Sequence, residues 1–290
     1  MTSLAKLPET PLPEPQTVQA GDAELLQLWL HGRPEHTQRA YRSDIGRFQA
    51  HFPKSLVQVT LADLQAFSDS LGHLQPASRY RCLSSVKSLL AFGHRIGYLA
   101  FDVGRVLRLP SVKNRLAERI LSETALQRML YLEPDERNRV LLFLLYASGV
   151  RRSELAGLCW KDLQITGEAG QITVFGKGGK TRSVQLPEAV WHMLEQLRGG
   201  AEASSPVFRS RKAGKPLSAS GIWRIVMRAG ERAGLEVSPH WLRHAHASHA
   251  LDHGAPIHLV QATLGHSSVA TTGRYLHARP KESSSRFLPL

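Results

Sequence analysis

The sequence predicts a mainly α-helical protein with a small β component, built as an N-terminal helical domain followed by an α/β domain. Three observations carry that prediction. Apolar residues recur at helical spacing through most of the chain. One pair of alternating segments flanks a glycine-rich turn, which predicts a small antiparallel hairpin sheet. A proline-broken, cationic stretch near residues 109–119 interrupts the periodicity and divides the chain in two.

Taken in order, residues 1–20 carry Pro8, Pro11, Pro13 and Pro15, which forbid a regular helix and predict a disordered leader. Residues 21–108 then read as a compact helical domain. Leu25, Leu26, Leu28, Trp29 and Leu30 form its first apolar cluster. Tyr41, Ile45 and Phe48 follow at i, i+4, i+7, with Thr37 as the expected helix cap. Leu61, Leu64, Phe67 and Leu71 repeat the spacing, and Leu83, Val86, Leu89 and Leu90 form a last stripe that ends near Gly97. Arg39, Arg42, Arg47, Arg79, Arg81 and Lys87 are interleaved with these core positions. The segment Leu109–Arg119, LPSVKNRLAER, predicts a linker with a basic lining that includes Lys113 and Arg115.

Residues 120–290 make the second domain. Ser122 caps a helix bearing Leu126, Met129 and Leu130, and the apolar run Val140–Tyr146 predicts a buried helix. Gln171–Phe175 and Arg182–Leu186 alternate as strands around GKGGK. Helices follow at about 187–198, 219–234, 240–253, 257–264 and 268–277.

Charge narrows the function classes. Lys and Arg number 37 against 24 Asp and Glu, for a net charge of +13 and a pI near 10.2. Both halves share the excess, which suits a polyanion, because neutralised phosphates release condensed counterions. Cys82 and Cys159 lie far apart, and they form neither a disulfide framework nor a metal cluster. His240, His244, His246 and His249 crowd one segment, but HExxH and cysteine ligands are missing, so no metal and no cofactor is expected. Neither a signal peptide nor a membrane span is legible, which predicts a cytoplasmic protein with no membrane partner.

Four segments carry the chemistry. In YASGVRRSELAGL, Arg151 follows the end of a buried helix and Glu154 sits one turn on, placed to fix a guanidinium. In VFGKGGKTR, glycines set Lys177 on a hairpin tip, with Lys180 and Arg182 beside it. In HWLRHAHASHAL, His240 and Arg243 are three apart and project from one helix face. In LGHSSVATTGRY, His266 precedes a serine-capped helix that carries Tyr275. Two guanidiniums can clamp one phosphate and stabilise a pentacoordinate phosphorane, the task a metal ion performs elsewhere. A tyrosine hydroxyl needs a base or a cationic field to become a nucleophile. His240 can supply the base, a hairpin lysine can protonate a leaving 5′ oxygen, and His266 can bond the phosphate or position the tyrosine. The loop FRSRKAGKP, with Arg211, Lys212 and Lys215, reads as a solvated charge run or a backbone contact.

Together these residues resemble the tyrosine recombinases of the phage integrase family, and in overall size the chain is similar to the Xer-type members. The family's ordered set of Arg, Lys, His-x-x-Arg, His or Trp, and Tyr falls on Arg151, Lys177, His240 with Arg243, His266 and Tyr275. Glu154 falls on its supporting acidic position, and Lys180 competes with Lys177 as the hairpin acid. The resemblance implies a helical core-binding domain joined to a catalytic domain, clamped around double-stranded DNA. It implies a 3′-phosphotyrosyl intermediate, strand exchange in a homo- or hetero-tetramer on two DNA sites, and a C-terminal tail that docks on a neighbouring protomer. Two other readings remain open at this point: a type IB topoisomerase, which would relax DNA rather than recombine two sites, and a DNA-binding regulator without catalysis.

Overall fold

The computed structural model describes residues 21–111, 116–167, 169–176, 179, 181–211 and 214–276. The expected leader 1–20, the tail beyond residue 276, and Lys113, Arg115, Lys177, Lys180 and Lys212 lie outside the described residues. The chain divides into two compact units, Met1–Lys113 and Asn114–Leu290.

The first unit is built from α1 (Asp22–Leu30), α2 (Glu35–His51), α3 (Leu61–Ser70) and α4 (Pro76–Arg95). The stripes seen in the sequence meet in one core, in which Leu25, Ile45, Phe48, Leu64, Phe67, Leu83 and Leu90 are all fully buried. Each such side chain contributes roughly 1.5–3 kcal/mol of hydrophobic stabilisation. Thr60 caps α3 reciprocally: its hydroxyl accepts from the Asp63 amide, and the Asp63 carboxylate accepts from the Thr60 amide at 2.9 Å. Thr37 is not a cap. Pro34, already at a fixed φ of −57°, caps α2 three residues earlier and leaves Thr37 inside the first turn.

The second unit carries α5 (Glu123–Tyr131), α6 (Glu136–Ser148), α7 (Arg152–Ala156), β1 (Leu163–Thr166), β2 (Ala169–Phe175) and β3 (Thr181–Leu186). It continues with α8 (Glu188–Arg198), α9 (Ala219–Arg232), α10 (Pro239–Asp252), α11 (Ile257–Leu264) and α12 (Val269–Leu276). The antiparallel sheet has the order β1-β2-β3, with Ile172 opposite Leu163 on one side and Val184 on the other. Strand β1 was not legible because LQIT lies at the sheet edge with Gln164, Ile165 and Thr166 all exposed, so no alternation marks it. The boundary between the units falls inside the expected linker 109–119. Leu116, at the C-terminal end of that stretch, and Ile120 just beyond it are buried with Ala247, Val260, Leu264 and Tyr275.

Helix α6 is buried on nearly every side, as its unbroken apolar run requires. It stops at Gly149, which adopts a left-handed φ of 59°. A Cβ there would lie 2.7 Å from Leu264 Cδ2 and 2.9 Å from His246 Cδ2, so only glycine lets the end of α6 press against α10 and α11. That close approach brings the ends of two helices and the start of a third to one place.

Candidate active site

Arg151 sits where α6 has ended and α7 begins. Its backbone amide donates to Glu154 Oε2 at 2.7 Å, and its guanidinium donates to Glu154 Oε1 at 2.8 Å. The Glu154 carboxylate is nearly buried and also accepts two bonds from Arg182, at 3.1 and 2.8 Å. Burial would raise the Glu154 pKa, but the bonds and charge of Arg182, with those of Arg151, outweigh it and hold the group at about 2. Arg182 donates as well to the Thr263 carbonyl at 2.7 Å. Arg182, expected among the DNA contacts, bridges β3, α7 and the end of α11 because its strand position faces those acceptors.

Arg243, on α10, is buried. Its guanidinium donates to the Gly149 carbonyl at 2.5 Å and to the Leu264 carbonyl at 2.6 Å, joining the C-terminal ends of α6 and α11. These carbonyls are among those that a helix end leaves unpaired. Burial, then the neighbouring Arg151, lowers its pKa to about 10, and it stays charged at neutral pH. His266 follows the left-handed Gly265 that closes α11, and its Nδ1 lies 2.9 Å from the hydroxyl of the buried Thr272. Burial and the guanidiniums of Arg243, Arg151, Arg182 and Arg274 hold its pKa at about 4, so its ring is neutral at pH 7. An open cleft of about 480 Å3 is lined by Arg151, Arg182 and His266, and by Gly176 and Thr181 at the two ends of the β2–β3 connection.

Tyr275 lies on α12, only 6% exposed. Burial raises the pKa of its hydroxyl, against the opposing pull of Arg243 and Arg274. That hydroxyl lies 2.8 Å from Nδ1 of His244, one turn beyond His240 on α10. The expected partner, His240, is exposed; packing around its ring and then Arg152, Arg243 and Arg151 lower its pKa. Sequence reading therefore missed the histidine in contact with the tyrosine. The signal was present, since His244 follows His240 by four residues and shares its helix face, but it was masked by a run of four histidines at similar spacings. His249 and His246 prove to be scaffold groups: His249 bonds Tyr146 and the Leu121 carbonyl, and His246 bonds the Tyr146 carbonyl.

The remaining cations fall into two groups. Arg39, Arg42 and Arg47 are exposed on α2, and Lys215 is exposed in the loop before α9. Others are engaged within their own units. Arg79 bonds Ser68 Oγ at 3.0 Å, Arg81 pairs with the fully buried Asp44 at 2.7 Å, and Lys87 donates to the Leu107 carbonyl at 2.5 Å. Arg211 pairs with Asp135.

Comparison with known proteins agrees with this layout. The model of the phage integrase family matches residues 118–282, and that of the phage integrase N-terminal SAM-like domain matches residues 25–97. The tyrosine recombinase XerD of Staphylococcus haemolyticus is 32% identical over 266 residues, covering 85% of this chain and 89% of its own. The tyrosine recombinase XerC of Xanthomonas campestris pv. campestris (strain B100) is 35% identical over 259 residues, covering 83% and 78%. Among solved structures, a lambda integrase (75–356) dimer bound to a COC′ core site superposes with a TM-score of 0.75 at 20% identity, covering 90% of this chain and 95% of that one. No helix among the described residues is long and apolar enough to cross a membrane.

Proposed function

The chain belongs to the phage integrase family as a Xer-like tyrosine recombinase, and from that premise we propose that Tyr275 is its nucleophile, with Arg151, Arg243, His240 and His266 around the phosphate. It is a site-specific recombinase that cleaves and rejoins duplex DNA. The tyrosine oxygen attacks the scissile phosphorus, the 5′ oxygen leaves, and a 3′-phosphotyrosyl bond stores the linkage. The 5′ hydroxyl of a partner duplex then reverses the step. Because one phosphodiester replaces another, the exchange is close to isoenergetic.

The observation that carries this reading is the setting of Tyr275: a buried hydroxyl, bonded to a histidine, in the field of Arg243 and beside a cleft lined by Arg151 and His266. Arg151 faces the cleft with its amide and guanidinium steadied by Glu154, so it meets a non-bridging oxygen without reorganising. Arg243 adds charge from below. Neutral His240 and His266 can accept or donate as charge moves. Lys177, outside the described residues, is the proposed acid for the leaving oxygen, and Lys180 is its competitor; Gly176 and Thr181, which flank that connection, line the cleft. Arg39, Arg42, Arg47 and Lys215 are proposed contacts to the DNA backbone. So are Lys113, Arg115 and Lys212, which lie outside the described residues. The working assembly is proposed to be a homo- or hetero-tetramer on two DNA sites, in the cytoplasm.

The test begins by selecting a bound duplex from a random library, then presenting it with a nick that traps the cleaved end. Wild type should accumulate a covalent protein–DNA adduct. Tyr275→Phe should bind equally and form none. An adduct formed by the Phe variant would remove Tyr275 from the reaction.

A further inference from the structure

The hydroxyl of a buried tyrosine meets one histidine. Tyr275 is buried, with Thr272 buried beside it on α12, and His244 is half-buried on α10. The two rings are 5.7 Å apart between centroids and inclined by 48°, with the hydroxyl 2.8 Å from Nδ1. Burial disfavours loss of the hydroxyl proton to solvent while the oxygen attacks, and the group already in contact is the nearest acceptor. His240 is one turn away, its ring centroid 6.5 Å from that of His244, and it faces solvent.

We propose that His244, through Nδ1, accepts the Tyr275 proton as the tyrosine oxygen attacks phosphorus, the task that sequence reading gave to His240. This rests on the reading of Tyr275 as nucleophile. In the forward step the Oη–P bond forms and the P–O5′ bond breaks. The electron pair leaves on the 5′ oxygen, which takes its proton from the acid on the opposite side. His244 is left as imidazolium. When an incoming 5′ hydroxyl attacks the phosphotyrosine, its proton goes back to the acid that was deprotonated in the forward step, the new O5′–P bond forms, the Oη–P bond breaks and His244 returns its proton to Oη.

The surroundings make this base respond to DNA. Burial first, then His240, Arg119, Arg243 and Arg274, hold the His244 pKa at about 4 in the free protein. Arg119 approaches from the turn before α5, Arg274 from α12, and Arg243 and His240 from α10 itself, while Tyr275 is the neutral titratable group in contact. The free protein thus keeps the proton on tyrosine and the nucleophile silent. A phosphodiester set among these cations brings compensating negative charge, which raises the basicity of His244 when the substrate is in place.

The test compares His244→Asn, His244→Gln and His240→Asn on the nicked trapping duplex, built with either oxygen or sulfur at the bridging 5′ position of the scissile phosphate. Sulfur leaves without needing a proton, so it rescues a lost acid but not a lost base. The amides can hold a hydrogen bond near Nδ1 but cannot carry a proton. The expected result is that both His244 variants bind DNA as wild type does, cleave the oxygen substrate about 100-fold more slowly, and are not rescued by sulfur. The acid limb of the wild-type pH–rate profile should vanish in them and persist in His240→Asn.

Cleavage by both His244 variants within about threefold of wild type overturns the proposal. Rescue by sulfur also overturns it, as does loss of the acid limb in His240→Asn alone. Faster cleavage by the His244 variants would make the bond a latch instead, and overturns it too. A wild-type protein that forms no adduct sinks the nucleophile reading itself, whereas a normal wild-type adduct with normal His244 variants sinks only this assignment.

Discussion

Glu154 holds two arginines at once, and that arrangement leaves a signature in both rate and stability. Its folded pKa of about 2 lies below the ordinary 4.5, so its stabilisation is complete above pH 4.5 and drains away as pH falls towards 2. The shift corresponds to an upper bound on the order of 3 kcal/mol. Glu154→Gln should therefore unfold at lower urea than wild type at pH 7, and the gap should narrow by roughly 2 kcal/mol by pH 3; a gap independent of pH would mean that the carboxylate's charge is not what stabilises. Arg151→Ala should keep DNA affinity within a few-fold and slow single-turnover cleavage by about 100-fold or more, the usual cost of losing one preorganised donor. At this scale the sequence was legible wherever a residue's role follows from its own chemistry and spacing, as for Arg151 with Glu154. It was not legible where the role depends on which of several equivalent neighbours the fold selects. His244 and His240 are chemically alike, and only the arrival of α12 distinguishes them. Arg182 reads as a hairpin cation until the end of α11 supplies its acceptor.

Among the elements, the end of α6 is the tightest constraint on the site. Gly149→Ala would strain a left-handed residue and push a methyl into Leu264 and His246. A loss of about 3 kcal/mol is expected. Gly167→Ala, with a similar φ of 64° and open space around it, should cost only about 1 kcal/mol. Paired thermal melts would measure the difference, and equal losses would show that backbone strain alone operates at Gly149. Most helices were legible because their apolar stripes are strong, as on α5, where Leu126, Met129 and Leu130 are buried as spaced. Caps divided. Ser122 accepts from the Ala125 amide as its hydroxyl predicts, whereas Pro34 pre-empted Thr37 through a φ restriction that periodicity does not register. Edge strand β1 failed for a related reason, since a strand that buries little has no pattern to read.

For the molecule as a whole, a net charge of +13 makes DNA affinity a function of salt. Exposed and engaged cations should differ in that function. Arg39→Ala with Arg42→Ala should lower the slope of log affinity against log salt by about 2, near 0.9 per phosphate contact. Lys87→Ala should leave the slope unaltered, because its ammonium is already bound to main-chain carbonyls. Titrations at several salt concentrations decide this, and equal slopes for all variants would remove α2 from the interface. Composition made the polyanion partner legible, but it could not separate cations that face solvent from those that brace the fold. Arg243 carries that overlap furthest. Its fork closes two helix ends from inside the protein, so the same atoms proposed to serve the reaction also hold the second unit shut. A silent but intact decoy, able to occupy DNA and poison an assembly of active subunits, must therefore be engineered at Tyr275, where one oxygen can be removed without dismantling the joint.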